Sequence, residues 1–541
     1  MNIFIRKPFI IALLFITASS CDKNGIENLL TGDIKISDIE PKTEYQAPLI
    51  IENDVDEKVI LNGEEIIFSQ GIFILEDAGF YEMKVGKANP VLFVLLDPER
   101  GYPEWGLKKW TPSLPVISDN ISDEISIYHP QLYVPGIPIP FLIKAGTPEL
   151  KNSVYLSVTD SDNKNFLIKK GTGSTQLSLD DNGKAHFNIG TQSYNVSLQK
   201  QTKSPIVLNG TISIDTFIEP NSIVQIDKDL IIEKTGSLTI TAGCIVLIDE
   251  GINITNLGPI NFTGVESNPV LITCSQKDKL FGGFISTGQN AKITATHTFF
   301  CNFGKHASSA YQYGHANRQA LFKSVNTQIS VANCYFIDTP GQVFYPDQCT
   351  LEIEACVVQR AKTSGQINNS IININNSYFS DFPDDSQVYR DEDNDALYIN
   401  ASDANISNSL FMYAKDDGID SGAGEGGIIN IDNCHFEACF HEGMALSSTD
   451  PAEKTHHITN SVFVKCQQGV ELGYSSSKHQ VLIENCTFAN NYIGIRYGDC
   501  YEWGVLGTIV VKQSFFENNH KHSWNMVRQL WEPKTENLII D

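Results

Sequence analysis

Between residues 300 and 516 one short unit recurs: Asn or another polar residue, a small residue, any residue, then Phe. It reads Asn333-Cys334-Tyr335-Phe336, Asn376-Ser377-Tyr378-Phe379, Asn408-Ser409-Leu410-Phe411, Asn433-Cys434-His435-Phe436, Asn460-Ser461-Val462-Phe463 and Asn485-Cys486-Thr487-Phe488. Degenerate copies end at Phe300, Val358 and Phe516, and the successive spacings are 36, 22, 21, 32, 25, 27, 25 and 28 residues. Units of this length, rich in short β-branched runs, suit coils stacked along an axis. The small residue and the Phe lie two apart, so a strand sends both to one side. Stacking then builds internal ladders of Cys or Ser and of Phe, with Asn at the bends. It also pairs each coil's backbone with the coils above and below.

Earlier coils fit the same scheme: Asn209-Gly210-Thr211-Ile212-Ser213-Ile214, Gly236-Ser237-Leu238-Thr239-Ile240 and Gly282-Gly283-Phe284-Ile285. On these residues, 205–541 resembles the right-handed parallel β-helix repeat proteins of the pectin-lyase-like superfamily. The resemblance implies an all-β chain with a C-terminal right-handed parallel β-helix (solenoid). His520 to Trp531 breaks the rhythm and reads as a cap over the last rung. That fold hosts lyases, hydrolases, isomerases, adhesins and scaffolds, so function has to be argued from a site.

Two small β-sandwich domains are expected ahead of it. Residues 21–100 carry strand-turn-strand patterns such as Val59-Ile60-Leu61-Asn62-Gly63-Glu64 and resemble immunoglobulin-like modules. Residues 101–204 read as a second sandwich, opened by the Trp105 to Trp110 stretch; the pair would serve as a stalk or spacer. At the front, Arg6 and Lys7 precede an apolar run, and Ala18-Ser19-Ser20-Cys21 follows. This is a signal peptide over 1–20, and it resembles a bacterial lipobox with Cys21 as the lipidated residue. The expected location is therefore exported, an outer-membrane or cell-surface lipoprotein touching membrane through the lipid anchor only. Setting Cys21 aside leaves an odd number of the 12 Cys, several at the small motif position, so buried free thiols are expected.

The formal charge is −25 and becomes −27 without residues 1–20. Such acidity excludes nucleic acid, whose binding rests on Lys and Arg releasing counterions. Part of it is local. Aligning the strands that follow each Phe gives an inward column, Leu397, Ile419, Met444, Val470 and Ile495. The outward column beside it is Tyr398, Asp420, Ala445, Glu471 and Arg496. Asp393, Asp395, Asp416, Asp417, Asp420 and Glu442 then crowd within a few rungs spaced about 4.8 Å apart.

Three readings of these acids stand open. Asp393, Asp395, Asp417, Asp420 and Glu442 could hold Ca²⁺ and bridge to an acidic polysaccharide. The β-helix pectate lyases imply that role for calcium, with Lys415 or Arg496 nearest as proton-abstracting base. Alternatively Asp395, Asp416 and Asp417, with Arg496, catalyse glycoside hydrolysis. Asn394-Asp395 followed by Asp416-Asp417 resembles the polygalacturonase-type hydrolases. There the later Gly-His-Gly is replaced here by His441-Glu442-Gly443, and no Arg-x-Lys follows. In the third reading these are turn residues without chemistry, since Asp and Asn cap backbone groups and tolerate left-handed conformation. The functional expectation is a surface lipoprotein that binds and cleaves polysaccharide, as lyase or hydrolase. The alternative is a non-catalytic adhesin or structural β-helix. The Lys305–Arg318 insertion, with His306, Tyr311, Tyr313 and His315, reads as a sugar-stacking or plain surface loop.

Overall fold

Asn sets the bend of each coil. Asn333, Asn376, Asn408, Asn433, Asn460 and Asn485 all sit at φ between 49° and 54°, a left-handed conformation that costs most L-residues about 1–2 kcal/mol. Their amides also join coil to coil: Asn433 Nδ2 donates to Asn408 Oδ1, and Asn485 Nδ2 to Asn460 Oδ1, both at 2.7 Å. The small residue that follows does more than fill space. The backbone N–H of Cys356, Ser377, Cys434 and Cys486 each donates to the Ser Oγ one coil on, at 3.0–3.1 Å. Asn433→Ala is expected to lose about 1–2 kcal/mol and Asn433→Gly distinctly less, read by urea denaturation.

The computed structural model describes residues 33–40, 43–76, 79–96, 112–113, 115–117, 124–146, 154–179, 181–305, 314–383, 393–421, 427–446, 453–473, 478–498, 507–525 and 538–540. The expected signal segment with Cys21, the Trp105–Trp110 stretch, His306, Tyr311, Tyr313 and residues 526–531 of the expected cap lie outside the described residues.

Among the described residues the coils form three parallel sheets of 13 strands each. Face A runs from Ile206–Val207 to Phe515–Glu517, face B from Gly210–Ile212 to Lys521–Asn525, and face C from Asp215–Ile218 to Leu538–Ile540. On face A the register pairs Phe300, Phe336, Val358, Phe379, Phe411, Phe436, Phe463, Phe488 and Phe516 in succession. From Phe379 onward their rings stack nearly parallel at 4.6–5.2 Å. The ten described cysteines are buried free thiols.

The chain before residue 205 forms small sheets. A three-stranded and a five-stranded sheet enclose Tyr45, Leu49, Ile51, Met83, Phe93 and Leu95. Between Ile125 and Lys200, sheets of three, four and two strands follow. This second module is no free spacer. Its core, with Phe141, Val158 and Phe187, runs on without a break into the outward residues Leu247, Leu271, Phe299, Tyr335, Val357 and Met412 of face A. Polar clasps line the seam. Gln176 Nε2 donates to Asp338 Oδ2 at 2.9 Å, Arg360 Nη2 to Ser174 Oγ at 3.0 Å, and Lys169 pairs with Asp381. The middle coils of face A, from Leu247 to Met412, are thereby covered, and face B carries the acids.

Candidate functional site

The bend from face A to face B carries the acidic residues. The register matches the columns drawn from sequence: Leu397, Ile419, Met444, Val470 and Ile495 are successive partners, as are Tyr398, Asp420, Ala445, Glu471 and Arg496. Inward residues of the first column are fully buried. Gly418, Gly443, Gly469 and Gly494 precede the inward residues. A Cβ on any of them would lie 2.4–2.7 Å from the next coil's carbonyl oxygen. None is at positive φ, so coil stacking, not turn geometry, requires the glycine of Asp416-Asp417-Gly418.

The turn-residue reading accounts for only part of the cluster. Asp393 has φ 54° and is its one member in the left-handed region. Asp395 and Asp417 do cap the following rung: Asp395 Oδ1 accepts from Asp417 N at 3.3 Å, and Asp417 Oδ1 from Glu442 N at 2.8 Å. Their remaining oxygens are not needed for that. One oxygen each from Asp395, Asp417 and Asp420 lie within 4.8 Å of one another, with Asp395 and Asp417 buried and Asp420 half-buried. Two ligands of one Ca²⁺, each at ~2.3–2.6 Å, can be no more than about 5 Å apart. The grouping is therefore of chelating size. It is tighter than the ~6.5–9.5 Å that leaves room for water between the carboxyls of an inverting hydrolase.

A second grouping adjoins it. Asp416, Asp417 and His441 also bring one ligand atom each within 4.8 Å. His441 Nδ1 stands 3.4 Å from Asp416 Oδ1 and 3.3 Å from Asp417 Oδ1, and it pairs with Glu442. Glu442, 1% exposed, is also reached by Gln468 Nε2 and by Arg496 Nη2 at 3.5 Å. Arg496 Nη2 is nearer Glu471, at 3.0 Å. The structure thus divides the sequence-derived residues. Asp395, Asp417 and Asp420 converge, Asp416 leans to His441, and Glu442 and Arg496 pair with each other one step along. Asp393 turns to His315, Oδ1 to Nδ1 at 2.7 Å. Lys415 packs its ammonium over the Phe440 ring at 4.2 Å.

Burial and mutual repulsion hold these acids back from ionising. Burial, then Asp416, Asp420 and Asp417, drive the Asp395 carboxyl well above its usual range. Burial and Asp417 do the same to Asp420, against the pull of His315. Asp417 is pushed up to about 8 by burial and Glu442, with His441 opposing. Glu442 is raised by burial, and His441 and Arg496 limit the rise. Burial disfavours the His315 cation, yet the bond and charge of Asp393, with Asp420 and Asp416, raise it. A site that must neutralise itself with protons is one where a cation would be welcome.

Two participants escaped the sequence reading. His441 looked one residue out of place against the hydrolase pattern, but the bend turns its ring onto Asp416 and Asp417. His315 arrives from a loop 78 positions before Asp393, where no repeat spacing could place it; a cationic aromatic loop in an acidic chain was the only signal.

Residues 319–488 match the family model described as a right-handed β-helix region. The match spans Asp393 to Glu442 and excludes His315 and Arg496. No curated protein matches the chain, and neither does any solved structure.

Proposed function

We propose that this β-helix protein binds a divalent cation, Ca²⁺ foremost, on Asp395, Asp417 and Asp420, and through it an acidic polysaccharide that it cleaves. The reading rests on the three carboxylate oxygens gathered within 4.8 Å at buried and half-buried positions. Asp416 brings a further oxygen within 4.8 Å of one from Asp417. When bound, the cation would supply neutralisation of a uronate carboxylate and of the enzyme's own acids.

The chain's own groups divide the remaining work. His441, held between Asp416, Asp417 and Glu442, is placed to carry a proton to or from the sugar. Arg496 compensates Glu442 and Glu471 and so positions Glu442. Tyr398, on the rung beside Asp420, has its ring stacked by His315 and backs the site. Hydrolysis is the second reading, favoured by the His441 grouping; elimination is favoured by the chelating spacing. An exported, lipid-anchored location through Cys21 remains part of the proposal, and loss of metabolic acyl labelling in Cys21→Ser would support it.

The test is a product assay on uronic-acid polymers with Ca²⁺ or with chelator. Ultraviolet absorbance reads elimination and reducing ends read hydrolysis. Turnover is expected with Ca²⁺ and a fall of about a hundredfold (~2.7 kcal/mol) in Asp417→Asn. Silence across a broad polymer panel, with binding retained, would leave a non-catalytic binding module.

A further inference from the structure

Face B is not an open groove. In stacked coils the outward column of every rung meets solvent unless something lies on it. Tyr398, Asp420, Ala445, Glu471, Arg496 and Trp524 are successive partners in that column. Only Asp420 keeps intermediate exposure. The other five are at most 9% exposed.

On the amino-terminal side the obstruction is the chain itself. Gly314, at φ +83°, sits so close that a Cβ there would lie 3.0 Å from the Tyr345 ring. The backbone N–H of His315 donates to Gln366 Oε1. The His315 ring stacks on Tyr398 with centroids 4.3 Å apart and planes at 17°, and Nδ1 reaches Asp393 Oδ1 at 2.7 Å. Gln366 pairs with Tyr398, and Tyr345 follows the partnered Phe344 one rung earlier. The segment therefore touches three consecutive rungs, two spacings or about 10 Å at ~4.8 Å per rung, and stops beside Asp420. A polymer running along the solenoid axis would have to pass through the His315 ring.

We infer that the site is a pocket that takes the end of a glycan chain, with Asp420 at its mouth and His315 as the wall that stops the chain. This rests on the carbohydrate reading above and adds to it the part of the polymer recognised. Within a pocket of this kind only a terminal sugar reaches Asp395, Asp417 and Asp420. Internal units of an intact polymer are excluded by shape, whatever their charge. His315 is a positioning and specificity residue, since it touches Tyr398 and Asp393.

Calorimetry on the full chain in Ca²⁺ tests it with four probes. They are a linear oligogalacturonate with free ends and the same oligomer carrying a bulky cap at the reducing end, at the non-reducing end, or at both. One single cap and the double cap are expected to weaken binding at least about tenfold (~1.4 kcal/mol), while the other single cap is tolerated. His315→Ala, checked for an unchanged circular dichroism spectrum, should narrow the penalty of the harmful cap without improving the free oligomer. Equal affinity for all four probes overturns the chain-end inference and leaves the carbohydrate reading standing. No binding by any of them overturns both.

Discussion

Glu437→Ala is expected to destabilise the protein by about 3–5 kcal/mol, the usual cost of breaking a buried ionic cluster from one side. Glu437 lies on the outer side of face A under the second module and is 5% exposed. Its Oε1 accepts from Tyr155 Oη at 2.8 Å and its Oε2 pairs with His435 Nε2 at 2.9 Å. Lys170 and Lys465 stand 3.8 Å away. Burial opposes ionisation, but the His435 bond, Lys170 and Tyr155 outweigh it and hold the carboxyl at about 2. The depressed value fixes the sign. The stabilisation is fully present above the ordinary Glu value of about 4.3 and is lost as pH falls through about 2. Removing the carboxylate strands the buried Lys170 ammonium and a tyrosine hydroxyl at the seam. Chemical denaturation of Glu437→Ala, Glu437→Gln and Glu484→Ala reads the effect. Glu484 pairs with Lys512 at 3.7 Å, but both side chains keep 40–45% exposure, so its removal should cost no more than ~1 kcal/mol. Equal losses at Glu437 and Glu484 would refute the clamp.

The metal-free protein should melt at progressively lower temperature as pH rises from 5 to 8, and Ca²⁺ should reverse this. Asp395, Asp417, Asp420 and Glu442 all have raised values in the folded state. The folded chain therefore holds protons that the unfolded chain has released, so stability falls with pH from near 4 upward. For Asp417 the window ends near 8. His315, also raised, acts in the same sense, since its contribution is present below its unfolded value and lost above its folded one. Each unit of displacement is worth ~1.4 kcal/mol, so several acids together amount to a large effect. A cation replacing those protons should add ~2.7 kcal/mol at a hundred times its dissociation constant. Asp417→Asn should flatten the pH dependence and abolish the Ca²⁺ response together. Calorimetric melting in chelator and in Ca²⁺ decides it; identical curves at pH 8 would exclude the cation site.

How much of this was readable in advance follows from what is local. The Asn-small-x-Phe unit carries its own coil, because a left-handed bend, a small residue and an inward ring are needed within four positions. Repetition then does the rest: stacking in register turns each position into a column. That is why Leu397, Ile419, Met444, Val470 and Ile495 could be aligned by counting, and why Asp395, Asp417 and Asp420 could be expected near one another. The purpose of Gly418 and its equivalents was not readable, since the atom that excludes a Cβ belongs to the next coil.

Sequence by itself determined the all-β solenoid, its inward ladders, its buried free thiols and the rungs on which the acids gather. Only tertiary structure decided that the second module covers the middle coils of face A, that His441 turns onto Asp416 and Asp417, and that His315 walls off the column at Tyr398. The physical reason is the same in each case. A repeat encodes neighbours one coil apart, whereas a docked module or a crossing loop is placed by surfaces that form only after the coils have stacked.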